Sequence, residues 1–213
     1  MEKNEALSDK QIHIIDVAEK LFAEKGFEGT SVRDIAHEAD VNIAMISYYF
    51  GSKEKLLEAV FARRSAMITQ QLTMVLDNKK LAPIDKVYLL IDFYIDQIIR
   101  NQHFHKIMVR EQIAGRESSV GKAIAQIKST NQSLIKQLIL EGQKKRVFKH
   151  RIDVSMMMMT LIGTANQMIS AQQHYRILND LEDMPDDQFE TLIHKKLSVH
   201  LKNLFKAVLT YES

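Results

Sequence analysis

The sequence predicts an all-α chain of about nine helices, and three observations carry this. Helix breakers are scarce: 213 residues include two Pro and seven Gly. Apolar residues recur every three or four positions through most of the chain, the spacing of one helix face. Capping pairs stand ahead of the first such runs, Ser8 with Gln11 and Ser31 with Asp34.

Ser8 opens the first helix, which turns Ile14, Val17, Ala18, Leu21 and Phe22 inward and stops at Gly26. Thr30 or Ser31 caps the second, with Val32, Ile35, Ala36 and Ala39 inward. Asp40 stands in the turn that follows. Asn42 caps the third, which carries Ile43 to Tyr49 and ends at Phe50-Gly51. Ser52 caps the fourth, running to about Asp77, with Glu54 in the first turn where the helix dipole favours an acid. Past Pro83, a strongly apolar fifth helix covers about Ile84 to Arg100. The sixth covers His103 to Ala114 and is ended by Gly115; the seventh covers Ser119 to Glu141 and is closed by Gly142 and Lys144-Lys145-Arg146. Two long helices complete the chain, Asp153 to His174 and Asp186 to Tyr211, joined by a linker from Tyr175 to Pro185.

Composition narrows the function classes. Hydrophobic residues at 46% and charged residues at 26% are ordinary for a soluble globular protein. With no Cys, disulfides, thiolate metal sites and cysteine nucleophiles are excluded. No apolar run approaches the ~18 residues of a membrane helix, and the polar start MEKNEALSDK lacks a signal-peptide core, so a cytoplasmic protein is expected. The histidine pairs His103/His105 and His194/His200 have no i, i+4 chelating spacing. Nucleophile elbow, phosphate loop and His/carboxylate cluster are all missing. The expectation is a non-enzyme with no metal and no cofactor.

The segment Thr30 to Lys53 is two short helices joined by a tight turn, the layout of a helix-turn-helix. Such a unit sets its second helix in a DNA major groove, so double-stranded DNA is the expected partner. The charge runs against that expectation. Up to Lys55, seven basic residues face eleven acids, a net −4, so phosphate contacts must rely on few cations plus hydroxyls and backbone N–H groups. The competing reading is a helical adaptor whose acidic head binds protein.

The stretches AEKLFAEKGFEGTSVRDIAHEADVN and ISYYFGSKEKLLEAVF resemble the tetracycline-repressor (TetR) family of bacterial transcriptional regulators, over about Ile12 to Phe61. The resemblance implies a DNA-binding head over residues 1–52 and a helical body over 53–213 that binds a small ligand and dimerises. It implies a repressor released from a near-palindromic operator by a small, largely apolar effector. Three positions depart from the common pattern: Asp40 and Ala44 replace frequent glycines, and Ser47 replaces a Tyr.

By residue type and matched position, the candidate DNA contacts are Thr30, Ser31, Arg33, Asn42, Ile43, Ala44, Ser47, Tyr48, Tyr49 and Lys53. Asn42, Ile43 and Ala44 open the recognition helix, where base edges are met. Tyr48 offers a ring to a thymine methyl, and Tyr49 a hydroxyl to a phosphate. Adjacent positions point about 100° apart, so one of the two rings can instead be core. Arg33 forks onto guanine or phosphate, or pairs with Asp34 or Glu38. Ile46 is expected in the core.

The family's pocket-lining helices here carry Leu90, Phe93, Tyr94, Phe104, Ile107 and Met108; Met158 and Asn166 join them as candidates. Of the run Met156 to Met159, at most two can line one pocket. Arg110 and Glu111 are expected to form an ion pair. The last two helices carry apolar stripes that the resemblance assigns to a homodimer, through Leu161, Ala165, Met168, Ile169, Ile193, Leu197, Leu201, Leu204 and Phe205; the competing reading is that the core of a single chain uses up both stripes.

Overall fold

A computed structural model describes residues 7–114 and 119–211. Its described residues form ten helices: α1 (Asp9–Lys25), α2 (Val32–Glu38), α3 (Ile43–Phe50), α4 (Lys53–Asp77), α5 (Pro83–Arg100), α6 (Gln102–Ala114), α7 (Ser119–Lys144), α8 (Val154–Ser170), α9 (Gln172–Leu178) and α10 (Asp186–Leu209). The expected stop at Gly115 lies outside the described residues.

The caps fall where the sequence puts them. Ser8 Oγ accepts from the Gln11 N–H while Gln11 Oε1 accepts from the Ser8 N–H at 2.9 Å, closing the capping box of α1. Ser31 and Asp34 build the same box on α2, at 2.8 and 3.1 Å. Asp40 takes φ of 51°, the left-handed conformation that the turn requires and that Asp tolerates better than most residues. Asn42 Oδ1 accepts from the Ala44 N–H at 2.8 Å and starts α3.

Two boundaries differ from expectation. Gly142 does not close α7, which runs on to Lys144. A Cβ at Gly142 would lie 2.1 Å from the ring of the fully buried Phe148, so this glycine seats a ring instead of ending a helix. The chain leaves α7 at Arg146, with φ of 59°. In addition, the penultimate helix is broken at Ala171, and α9 occupies part of the expected linker. Arg176 on α9 explains the break. Its guanidinium donates to the carbonyls of Leu181 and Met184 and to Asp186, and lies 3.9 Å from the Phe189 ring centroid. These contacts span the turn into α10 and do not show in local periodicity.

The helices group into two compact units. One holds α1 to α3, α4 through Ile68, α6, and α7 through Lys128. Its core joins Phe22, Ile35, Ile46 and Phe61 to Phe104 and Ile107 of α6. The other holds the rest of α4, α5, the rest of α7, and α8 to α10, with α5 packed on α10 and α8. There the Asp92 carboxylate of α5 accepts from Ser198 at 2.6 Å and Lys202 at 2.5 Å, both on α10. The buried Lys86 ammonium donates to the Leu76 carbonyl at 2.7 Å and to Glu141 at 2.8 Å, tying α4, α5 and α7 together.

Candidate nucleic-acid interface and body cavity

The short helix α3 has one buried position and an open outer side. Ile46 is 1% exposed and anchors the helix in the core, while Tyr48 is 83% exposed. Asn42, Ile43, Ala44 and Ser47 are exposed with it. Tyr49 is half-buried and packs against the core. Its ring meets Tyr48 edge-on at 5.2 Å and Phe50 at 6.3 Å. The two tyrosines therefore divide as their 100° separation demands: one ring outward, one folded into the support. The outer side presents an amide, a hydroxyl, small apolar groups and an aromatic ring, the chemistry that reads base edges and thymine methyls.

No residue of α3 is charged, so the acidic balance of the segment lies elsewhere. Glu38 pairs with Lys20 at 3.0 Å, Asp16 with Arg63, and Glu19 with Arg64 at 2.7 Å. The two arginines come from beyond the segment whose count gave −4. Asp34 is held below the usual carboxylate range by the Ser31 hydroxyl and then by the Ser31 N–H.

The candidate phosphate contacts fare differently. Arg33 is exposed and has no ion-pair partner among the described residues, because Asp34 is turned to Ser31 and Glu38 to Lys20. Thr30 is 1% exposed, and its hydroxyl donates to the carbonyls of Leu21 and Gly26 at 3.2 and 2.7 Å, so it locks the α1–α2 junction and is not presented to a phosphate. Ser31 remains exposed as the cap of α2. The Lys53 ammonium donates to the carbonyls of Phe27 and Thr30 at 2.9 and 3.2 Å and sits 4.1 Å from the Phe27 ring centroid. Two of its three protons are thus engaged inside the protein.

The second unit carries a partly open cavity of about 30 Å³. Leu90, Tyr94 and Met158, three of the candidate pocket residues, line it with Val87, Ile91, Ile135, Leu138, Ile139, Met157, Leu161 and Phe205. Phe104, Ile107 and Met108 are instead part of or packed on the core of the first unit, and Phe93 and Asn166 are not among the lining residues. The family resemblance suggested α6 for the wall; around this cavity the packing supplies α7, whose apolar row at 135, 138 and 139 was the available signal.

The dimer residues divide in the same way. Leu161, Ala165, Ile193, Leu197, Leu201 and Phe205 are buried within a single chain, and Leu161 and Phe205 line its cavity. Met168 and Ile169 are half-buried, and Leu204 is exposed. A wide apolar stripe has an inner edge that the chain itself covers. What α8 and α10 leave exposed is Met156, Met159, Val199, Leu204 and Val208.

Arg110 does not pair with Glu111. Its guanidinium donates to the Phe22 and Ala23 carbonyls at 3.3 and 2.8 Å, placing a cation at the C-terminal turn of α1. Glu111 is held above the usual carboxylate range by burial and by the nearby Glu28.

Comparisons with known proteins identify the family and the fold. The family model for bacterial regulatory proteins of the tetR family matches residues 14–60, and that for the tetracyclin repressor-like C-terminal domain matches residues 83–193. The probable HTH-type transcriptional regulator YttP of Bacillus subtilis is 36% identical over 140 residues, which cover 63% of this chain and 65% of that regulator, just under two thirds. The negative transcriptional regulator IcaR of the biofilm operon in Staphylococcus aureus is 25% identical over 89% of this chain and 97% of its own length. Among solved structures, a regulator from Saccharomonospora viridis in complex with choline aligns over 97% of this chain and all of its own, with TM-score 0.75 and 15% identity. FadR of Bacillus subtilis in complex with stearoyl-CoA aligns over 89% and 96%, with TM-score 0.63 and 21% identity. These two likenesses are of fold. No helix among the described residues is long and apolar enough to cross a membrane.

Proposed function

Because the chain belongs to the tetR family of bacterial regulatory proteins and is a DNA-binding transcriptional regulator, we propose that it acts as a homodimeric repressor that sets α3 of each copy into the major groove of a near-palindromic operator. The observation that carries the groove placement is the outer side of α3, with Tyr48 83% exposed and Ile46 holding the helix from behind. Tyr48, Asn42, Ile43, Ala44 and Ser47 meet base edges; Arg33 and Ser31 meet phosphates; Tyr49 and Lys53 support the reading surface, with the remaining Lys53 proton free for a phosphate. Residues 1–52, with Lys53 at their border, supply the DNA contacts, and the rest of 53–213 supplies effector binding and pairing.

The effector is small and largely apolar, and it enters the cavity of the second unit. At about 30 Å³ the cavity is far below the roughly 300 Å³ of a ligand pocket, so binding requires it to open. Met157 and Met158, unbranched and adaptable, are the lining groups that can give way most readily. An effector bound only by the opened form favours it over the DNA-binding form by its differential affinity. The test is selection of duplexes from a random pool. A near-palindrome bound with steep salt dependence supports the reading; uniform weak retention of all duplexes removes it.

A further inference from the structure

Charge is spread unevenly along the chain. It is +2 overall and −4 through Lys55, so residues 56–213 carry +6. Five cations, Lys144, Lys145, Arg146, Lys149 and Arg151, fall within eight residues that hold no acid. They form the end of α7 and the turn into α8, in the second unit.

The turn is a fixed platform. Phe148 is fully buried against Gly142, and the Val147 and Phe148 N–H groups donate to the Gly142 carbonyl at 3.0 and 3.2 Å. The Gln143 amide donates to the carbonyls of Lys149 and His150, both at 2.9 Å. The flanking acids are already engaged. Glu141 accepts from the buried Lys86 at 2.8 Å and from Lys145 at 2.7 Å, and Asp153 accepts from the Met156 N–H as the cap of α8. Lys149 donates to the Ala207 carbonyl near the end of α10. Lys144, Arg146 and Arg151 are exposed, with no ion-pair partner among the described residues.

Helix dipoles account for part of this. A cation is favoured at a helix C-terminus, which suits Lys144 on α7 and Lys149 against α10. Arg151 has no such reason. It stands two residues before Asp153, at the end of α8 where the dipole disfavours a cation. The neighbouring elements do not cancel the surplus. Lys86 brings the end of α4 and the start of α5 to Glu141, and Lys149 brings the end of α10. Together these add the exposed Lys79, Lys80 and Lys206 against Asp77 and Asp85.

A surface this rich in free cations fits a polyanion. The large apolar groups exposed on α7 and the turn are two aliphatics, Leu140 and Val147. A protein partner calls for an aromatic or apolar interface core, from which lysine is depleted. Stable docking on a membrane calls for an apolar or acyl anchor besides the cations. Duplex phosphates, one charge per about 1.7 Å and held by Lys and Arg, require neither. We propose that the turn between α7 and α8 is a second nucleic-acid surface, which holds the phosphates of duplex DNA without regard to sequence. It is separate from α3, and it supplies phosphate contacts for which the acidic head has few cations.

The test is binding of the full-length protein to a random-sequence duplex of about 40 base pairs, between about 50 and 200 mM KCl. Lys144→Gln, Arg146→Gln and Arg151→Gln together should lower the slope of log K against log salt by about two to three units and weaken binding about tenfold at about 100 mM KCl. The same loss of charge at exposed positions elsewhere, Lys106→Gln, Lys122→Gln and Lys195→Gln, should lower the slope by less than about one unit. Arg151→Gln alone should lower it by about one unit, which keeps the test decisive if the triple variant is less stable. Equal slopes for the two triple variants would show that net charge alone acts. A wild type that fails to hold the random duplex has no such surface. One that holds polyglutamate or phosphatidylglycerol vesicles more tightly than the duplex has a protein or membrane partner here. Each of these results overturns the proposal and leaves operator reading by α3 in place.

Discussion

The guanidinium of Arg64 holds both carboxylate oxygens of Glu19, at 2.8 and 2.7 Å, joining α4 to α1. Glu19 is 5% exposed, so this is a buried, bidentate, charge-assisted pair. Its neighbour Arg63 takes Asp16 on the same two helices. Removing one partner strands the other charge in a low-dielectric setting. Arg64→Met should therefore lower the unfolding free energy by about 3 kcal/mol in urea titration, and the added change Glu19→Met should restore much of it. A loss below about 1 kcal/mol for the single change would show the pair to be solvent-screened.

Lys53 and Arg33 should separate structural from DNA-contacting cations. Lys53→Met leaves the carbonyls of Phe27 and Thr30 without a donor, so about 2 kcal/mol of stability should be lost. Arg33→Ala removes no ion pair or hydrogen bond among the described residues. It should leave the melting temperature nearly unchanged and lower the slope of log K against log salt for operator binding by about one unit. The reverse pattern, a stable Lys53 variant and an unfolded Arg33 variant, would reassign both.

Pairing between copies should depend on what α8 and α10 leave exposed. Met159→Glu and Leu204→Glu place charge on such positions, so sedimentation should shift from a dimer toward a species of 24.6 kDa with the fold retained. Leu201→Ala, at a fully buried position, should instead cost about 2–5 kcal/mol of stability in the single chain. A dimer that survives both glutamates lies on another surface.

His105 gives a pH dependence with a definite sign. Burial lowers its pKa to about 4, and its Nδ1 is buried with no hydrogen-bond partner among the described residues. The folded state thus holds the ring neutral, whereas the unfolded chain protonates it near 6.5. Its stabilising contribution is present above about pH 6.5 and is lost as pH falls toward 4, on the order of 3 kcal/mol in all. His105→Leu should flatten the denaturation midpoint over that window. An equally steep profile in the variant would place the titration elsewhere.

Much of the head was legible because its signals are local. A capping pair, a left-handed turn at Asp40 and an Asn cap are each set within four residues, and each is found where the pattern puts it. The positions of Ile46 and Tyr48 follow from helical spacing alone. What escaped depends on groups far apart in sequence. Thr30 and Lys53 have the chemistry of phosphate contacts, but carbonyls at positions 21, 26, 27 and 30 claim them. Phe104 has the apolar ring of a pocket residue, yet it packs 5.2 Å from Phe61 in the first unit. On α10, apolar periodicity marks Leu201 and Leu204 alike, and only packing decides that the first is covered and the second free.

If the outer side of α3 reads DNA, a footprint on a selected operator with wild-type and Tyr48→Ala protein will show it. Two protected major-groove stretches about 10 base pairs apart, centre to centre, are expected. Both should fade in the Tyr48 variant while its circular dichroism and melting temperature stay unchanged. A footprint identical in the two proteins, or protection confined to the minor groove, would contradict this reading of α3.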